Sequence, residues 1–131
     1  MLPKFRAWHI HKQIMCEVIR IDFKQGIVTL DLEPDDDEYY WTETDWKTSH
    51  VILMQSTGLK DRNGVEIYEG DIIEWRYVIT YVDSSQQGNL GMSIGFYAQR
   101  DDFESYHTLD VGDEYEVLGN IYENKKLLEV E

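Results

Sequence analysis

Residues 53–73 decide the fold of this chain, and they read LMQSTGLKDRNGVEIYEGDII from Leu53 to Ile73. Short runs of apolar and β-branched residues alternate here with turns that contain glycine. Asn63-Gly64 predicts a hairpin, because both residues tolerate the positive φ that a type I′ turn requires. Glu69-Gly70-Asp71 predicts a second turn, in which Gly70 supplies a backbone shape that other residues adopt poorly. The stretch therefore predicts strand, turn, strand, turn and strand within twenty-one residues.

The rest of the chain follows the same β pattern. Ile72–Ile79 is rich in β-branched and aromatic residues and predicts one further strand. Gln99–Asp113 predicts a loop with a short helix, and Glu123–Glu129 predicts one terminal helical turn. The remaining predicted strands are Met15–Phe23, Ile27–Leu32, Tyr39–Trp46, His50–Gln55, Met92–Ala98 and Tyr115–Ile121. We expect an all-β fold of barrel-like or strongly bent antiparallel sheets with long loops and at most a short C-terminal helix.

Length and composition indicate one small globular domain over residues 1–131. The chain is 42% hydrophobic and carries four Trp, nine Tyr and four Phe, which argues against disorder. Cys16 is the single cysteine, so no intrachain disulfide can form and a reducing compartment is expected. The start of the chain has no apolar signal region and no long apolar run follows. These features predict a cytoplasmic protein and argue against a secreted or membrane-spanning one.

The charge is strongly negative and unevenly distributed. Twenty-six acidic and twelve basic residues give −14, while Met1–Gly26 has a net charge of +3. Such acidity repels phosphate backbones and argues against direct nucleic-acid binding. It favours basic partners, including the DNA-binding faces of other proteins. The alternative interpretation is that the acidity serves only solubility.

Three motifs resemble those of the YopX-like family of phage and prophage proteins. They are the opening KFRAW at Lys4–Trp8, the central stretch already quoted, and YEVLGNIYEN at Tyr115–Asn124. His9-Ile10-His11-Lys12 departs from the family, as does Lys125 in place of a common proline, and Tyr77–Asp113 matches nothing specific. The residues that carry the resemblance are Phe5, Arg6, Trp8, Gln55, Thr57, Gly58, Lys60, Asp61, Asn63, Gly64, Tyr68, Gly70, Asp71, Gly119, Asn120 and Tyr122.

The sequence contains no recognisable catalytic constellation. His9 and His11 lie two apart, so on a strand they share one face and are candidate metal ligands with a distant third group. A surface pair without metal is the alternative, and His50 and His107 stand isolated in the sequence. Cys16 lies in an alternating strand, which favours a buried small side chain over a nucleophile. We therefore predict no catalytic residue and no cofactor.

A binding role is the more economical hypothesis. The resemblance implies a phage- or prophage-encoded accessory protein of unknown activity, which we interpret as a non-catalytic interaction module. Exposed strand edges also favour a homo-oligomer. The alternatives are a small metal-dependent hydrolase and an acidic mimic of DNA that inhibits a nucleic-acid-binding protein. The predicted partner surface is Asp35, Asp36, Asp37, Glu38, Tyr39, Tyr40 and Trp41, with further acidic clusters at Asp101–Glu104 and Asp110–Glu116.

Overall fold

The computed structural model describes residues 4–32, 41–45, 50–82, 95–99, 106–109 and 115–129. The described strands are β1 (Phe5–His9), β2 (Ile14–Asp22), β3 (Ile27–Asp31), β4 (Trp41–Asp45), β5 (Val51–Lys60), β6 (Glu66–Tyr68), β7 (Asp71–Ile73), β8 (Tyr77–Val82), β9 (Gly95–Gln99), β10 (Tyr106–Thr108) and β11 (Val117–Asn120). Two 3₁₀ turns, Glu74–Arg76 and Lys125–Leu128, are the helical segments of this described part. The prediction of an all-β fold with at most a short C-terminal helix is confirmed.

The strands form two antiparallel sheets that are not closed into a barrel. One sheet has the order β4-β3-β2-β1-β5-β6 and the other has the order β10-β9-β8-β7-β11. The chain divides into two compact units, Met1–Ser56 and Thr57–Glu131. In the described part, no helix has the length and apolar character needed to cross a membrane.

Each unit has its own apolar cluster. In the first unit alternate residues of the strands bury together, namely Ala7, Cys16, Val28, Leu30 and Val51. In the second unit the buried cluster is Ile67, Ile73, Ile79, Ala98 and Leu109. In the first set, Val28 and Leu30 follow the period of two that places alternate strand residues on one face. The second set takes one residue each from β6, β7, β8 and β9, together with Leu109.

The β2–β3 hairpin forms as predicted. Gly26 takes a φ of 75° in the turn between the two predicted strands, and Asp22 lies opposite Ile27. The carboxylate of Asp22 accepts the backbone N–H groups of Lys24 and Gln25, at 3.1 and 3.0 Å. An exposed Asx turn with a left-handed glycine therefore closes this hairpin.

The hairpin after β5 uses a different turn from the predicted type I′. Gly64 has a φ of 82°, but Asn63 is not among the residues with positive φ. The N–H of Gly64 donates to the Asp61 carbonyl at 3.0 Å, and the N–H of Asp61 donates to the Val65 carbonyl at 2.7 Å. This is a type I turn followed by a left-handed glycine, which makes the loop one residue longer than the predicted turn. The Asp61 carboxylate favours this turn, because it accepts the backbone N–H groups of Asn63 and Val65.

The prediction of one strand over Ile72–Ile79 is wrong. The chain reverses at the 3₁₀ turn Glu74–Arg76, so that Ile72 lies opposite Val78 and Ile73 opposite Tyr77. The reversal buries apolar residues of both arms together, since Ile73 and Ile79 belong to one cluster. No glycine, asparagine or proline marks this turn, so residue preferences could not predict the reversal of the chain here.

The segment Gln99–Asp113 contains a strand where we predicted a loop with a short helix. Within the described residues, Tyr106–Thr108 pairs with β9, and His107 lies opposite Ala98. Residues 100–105 and 110–114 lie outside the described part. Lys125–Leu128 forms the predicted terminal helical turn, of the 3₁₀ type.

Candidate functional site

The most unusual backbone of the described chain lies at Trp75 and Arg76. Their φ values are 69° and 63°, in the left-handed region where a Cβ is disfavoured by about 1–2 kcal/mol per residue. Trp75 is also 71% exposed, although a tryptophan is usually well buried. Strained backbone conformations cost free energy and cluster at functional sites. A strained turn that exposes a large aromatic side chain is therefore a candidate functional site.

Trp75 borders a surface cavity of about 290 Å³ in the second unit. The lining residues are Trp75, Tyr77, Ala98, His107 and Tyr115. Four of these five residues carry aromatic rings, so most of the wall presents π faces and edges. A cavity of this size is near the lower end of the range for ligand sites, which is roughly 300–1,000 Å³, and can accept one extended side chain.

Strand pairing explains how the cavity arises. His107 lies opposite Ala98 and Ala98 lies opposite Ile79, so these three side chains share one face of the sheet. Because Ala98 carries only a methyl group, space remains beside the larger side chains that line the cavity. The cavity therefore forms next to Ala98, where the buried cluster meets the surface. Tyr77 and Tyr115 are partly buried and pack against the same cluster.

Tyr77 and His107 are fixed to one another. The Tyr77 hydroxyl and His107 Nε2 are hydrogen-bonded at 3.1 Å, and the two rings meet edge to face with centroids 5.0 Å apart. In the sequence His107 is isolated, because thirty residues separate it from Tyr77. This contact holds two of the lining side chains in a defined position relative to each other.

The turn at Asp61–Gly64 contacts two parts of the cavity wall, the backbone of Tyr115 and the turn that carries Trp75. The N–H of Arg62 donates to the Tyr115 carbonyl at 3.0 Å, and Asp61 Oδ2 accepts the N–H of Val117 at 3.0 Å. The Arg62 guanidinium forms a salt bridge with Glu74, the first residue of the strained turn. Its second contact, to Glu116, is longer at 3.9 Å. The central sequence motif thus connects the Tyr115 wall to the turn that carries Trp75.

Asp61 is the central residue of this arrangement. It is only 4% exposed, and its Oδ1 accepts the N–H groups of Asn63 and Val65 at 2.9 and 2.8 Å. Burial alone would raise its pKa, but the N–H donors of Val117, Val65 and Asn63 and the nearby Arg62 charge outweigh burial and lower it. Asp61 therefore stays ionised and serves a structural role, whereas the sequence alone marks it only as a motif position.

Other motif residues also satisfy backbone groups. Thr57 Oγ1 donates to the Ile67 carbonyl at 2.8 Å, and Asp71 Oδ2 accepts the Tyr68 N–H at 2.7 Å. Asn120 Oδ1 accepts the N–H groups of Tyr122 and Glu123 at 3.0 and 2.8 Å. Such contacts explain why the motifs specify turns. They assign no chemistry to these residues.

The first unit brings three histidines together. His11 Nε2 lies 2.9 Å from His50 Nδ1, and the His9 and His11 ring centroids are 6.3 Å apart. His50 is thus not isolated, because the N–H of Ile10 donates to its carbonyl at 2.9 Å, which holds it beside the end of β1. Partial burial first, and then the charges of Lys12, His11 and His50, lower the pKa of His9 from 6.5.

The histidine geometry does not favour a metal. His9 Nδ1 accepts the backbone N–H of Lys12 at 3.2 Å, so the neutral ring carries its proton on Nε2 and offers no lone pair there. Among the described residues, no group of three or more His, Cys, Asp or Glu is placed to hold a metal ion. The candidate pair His9 and His11 therefore gains His50 as a neighbour without forming a ligand set.

Cys16 is buried at 1% exposure, as the alternating pattern indicated. Burial, together with the nearby Asp31 carboxylate, raises the pKa of its thiol to about 11 despite the opposing Lys12 charge. The thiolate is the reactive form of cysteine, so this side chain is chemically inert near neutral pH.

The predicted partner surface lies outside the described residues, except for the backbone of Trp41, the first residue of β4. The same holds for Asp101–Glu104 and for most of Asp110–Glu116. The sequence patterns did not predict the aromatic cavity. Its one available signal was the pair of aromatic residues at Trp75 and Tyr77 in a stretch interpreted as continuous strand.

Fold and cavity define an all-β protein whose second unit carries an aromatic surface site. The family model described as YopX protein matches residues 4–129. The chain therefore belongs to the YopX family, and the predicted resemblance is confirmed.

A solved structure is similar over nearly the whole chain. It is the crystal structure of protein EF1440 from Enterococcus faecalis, with 26% sequence identity and a TM-score of 0.63. The likeness covers 98% of this chain and 99% of that chain. No curated protein matches significantly.

Proposed function

We propose that this YopX-family protein is a non-catalytic protein-interaction module, encoded by a phage or prophage and acting in the bacterial cytoplasm. The observation that carries the proposal is the exposed Trp75, held on a strained turn beside the aromatic cavity. Exposed tryptophan and tyrosine side chains are enriched where protein partners bind, because they bury much area with few rotatable bonds.

The charge supports a basic partner. The second unit, Thr57–Glu131, contains six basic and sixteen acidic residues, a net charge of −10. Long-range attraction would bring a basic protein to this unit, and the aromatic cavity would provide the short-range contact. The proposed phage or prophage origin makes a host or phage protein the natural candidate.

The test is capture from the bacterial host at low and high salt, with purified protein as bait. We expect a basic protein to be retained at low salt and weakened as salt rises, since exposed charges are screened over about 8 Å at physiological ionic strength. Trp75→Leu should lose the partner. Phe23→Leu is the matched control, because Phe23 is an aromatic residue of the first unit with 73% exposure. Equal capture by both variants would contradict the proposal.

The other predicted roles have less support. The described histidines do not assemble a metal ligand set, so nothing in their geometry favours a metal-dependent hydrolase. The DNA mimic depends on acidic clusters that lie mainly outside the described residues, and it stays a prediction. Self-association also stays a prediction. The terminal strands β4, β6, β10 and β11 of the two sheets are where it would occur, and light scattering after size-exclusion chromatography tests it.

A further inference from the structure

We infer that the aromatic cavity is a receptor for one cationic side chain, a lysine ammonium or arginine guanidinium of the protein partner. The inference rests on the proposed interaction function and names the chemistry of its contact. Aromatic rings attract cations through the negative potential of their faces, and tryptophan does so most strongly. Trp75, Tyr77 and Tyr115 supply three such rings around one space of about 290 Å³.

Charge distinguishes this occupant from an apolar one. The unit that contains the cavity has a net charge of −10, which attracts a cation and gives no advantage to a neutral side chain. Arg62, whose N–H binds the Tyr115 carbonyl, forms salt bridges with Glu74 and Glu116. Its charge is therefore offset beside the Tyr115 wall.

The rings are also held in place before any ligand binds. Tyr77 is hydrogen-bonded to His107, and Tyr115 is fixed through its carbonyl to the Arg62 N–H. Trp75 is presented by a turn whose first residue is held by Arg62. Preorganised walls lower the entropy cost of binding, which matters for an interaction as weak as a single cation–π contact.

The experiment compares Nα-acetyl-lysine amide with Nα-acetyl-norleucine amide, which has a similar stem without the ammonium. Binding is followed by NMR of the indole N–H of Trp75, assigned by its disappearance in Trp75→Leu. We expect the lysine amide to bind about fivefold more tightly than the norleucine amide, and tetramethylammonium to shift the same signal. The lysine amide should bind Trp75→Leu about fivefold more weakly, and Phe23→Leu should bind it like the native protein.

A conservative variant separates ring chemistry from local structure. Tyr77→Phe removes the hydroxyl that contacts His107 but keeps the aromatic face, so cation binding should be retained within about twofold. Equal binding of the two amides would overturn the cationic occupant, as would absence of binding by both.

The outcomes also separate this inference from the proposed function. If Trp75→Leu loses a host partner while neither amide binds, the interaction module stands and the cationic occupant is wrong. If the lysine amide binds at Trp75 while no partner depends on that residue, the cation site stands and the interaction module fails.

Discussion

Two turns of the second unit, Asp61–Gly64 and Glu74–Arg76, both contain left-handed backbone but differ in the residues that adopt it. Each connects neighbouring antiparallel strands, yet the first places glycine at its left-handed position and the second places Trp75 and Arg76 there. The first also binds its own N–H groups through a buried carboxylate. The second has no buried residue and displays an indole to solvent. One turn is therefore stabilised by its own side chain, whereas the other carries backbone strain and exposes an aromatic side chain.

The two turns are also connected. Arg62 of the stable turn forms a salt bridge with Glu74 of the strained turn. Both side chains are partly exposed, so the pair contributes at most about 1 kcal/mol to stability. The main effect of the salt bridge is geometric, because it limits how far the strained turn can move relative to Tyr115.

The largest expected effect is the loss of the Asp61 carboxylate. Asp61→Ala leaves three N–H groups without their acceptor, and we expect the free energy of unfolding to fall by about 3 kcal/mol or more. Asp22→Ala is the matched control, because Asp22 accepts two N–H groups in an exposed turn that water can replace. It should cost about 1 kcal/mol or less. Urea unfolding of both variants checks the difference, and equal losses would show that Asp61 is not the central support.

Acid should weaken the stable turn selectively. The pKa of Asp61 is lowered in the folded protein from its ordinary value of 3.8, so folding is favoured by its ionised form. This contribution is fully present above the unfolded value and is lost as the pH falls through the folded one. The free energy of unfolding should therefore decline more steeply in acid for the native protein than for Asp61→Asn. Parallel pH profiles would contradict this assignment.

The same two turns show which features of the fold can be predicted from the sequence and which cannot. Gly64 and Asn63 are residues whose own preferences mark a turn, so the hairpin was found and only its type was wrong. Trp75 and Arg76 have no such preference, and their turn exists because burying Ile73 and Ile79 together outweighs the local strain. Propensity cannot reveal a turn that tertiary packing imposes. The cavity was missed for this reason, as was the contact between Tyr77 and His107, which comes from strand pairing across thirty residues.

Exchanging glycine between the two turns should change stability in opposite directions. Gly64→Ala meets no atom within 4 Å, so its expected loss of about 1–2 kcal/mol is a cost of the left-handed backbone alone. Arg76→Gly should increase the free energy of unfolding by about 1 kcal/mol relative to Arg76→Ala. The alanine variant removes the same side chain and charge without relieving φ, which makes it the proper reference. If Arg76→Gly is no more stable than Arg76→Ala, the turn at Glu74–Arg76 is not strained in solution.

The smallest expected effect on stability belongs to Trp75. Its ring is 71% exposed, and leucine keeps the Cβ and therefore the backbone strain, so Trp75→Leu should change the free energy of unfolding by no more than about 0.5 kcal/mol. The same variant should lose the partner and the lysine amide. A residue that contributes almost nothing to folding while occupying a strained position has no structural reason to be tryptophan. A loss above about 2 kcal/mol would instead mark Trp75 as part of the packed core, and the contrast between the two turns would no longer hold.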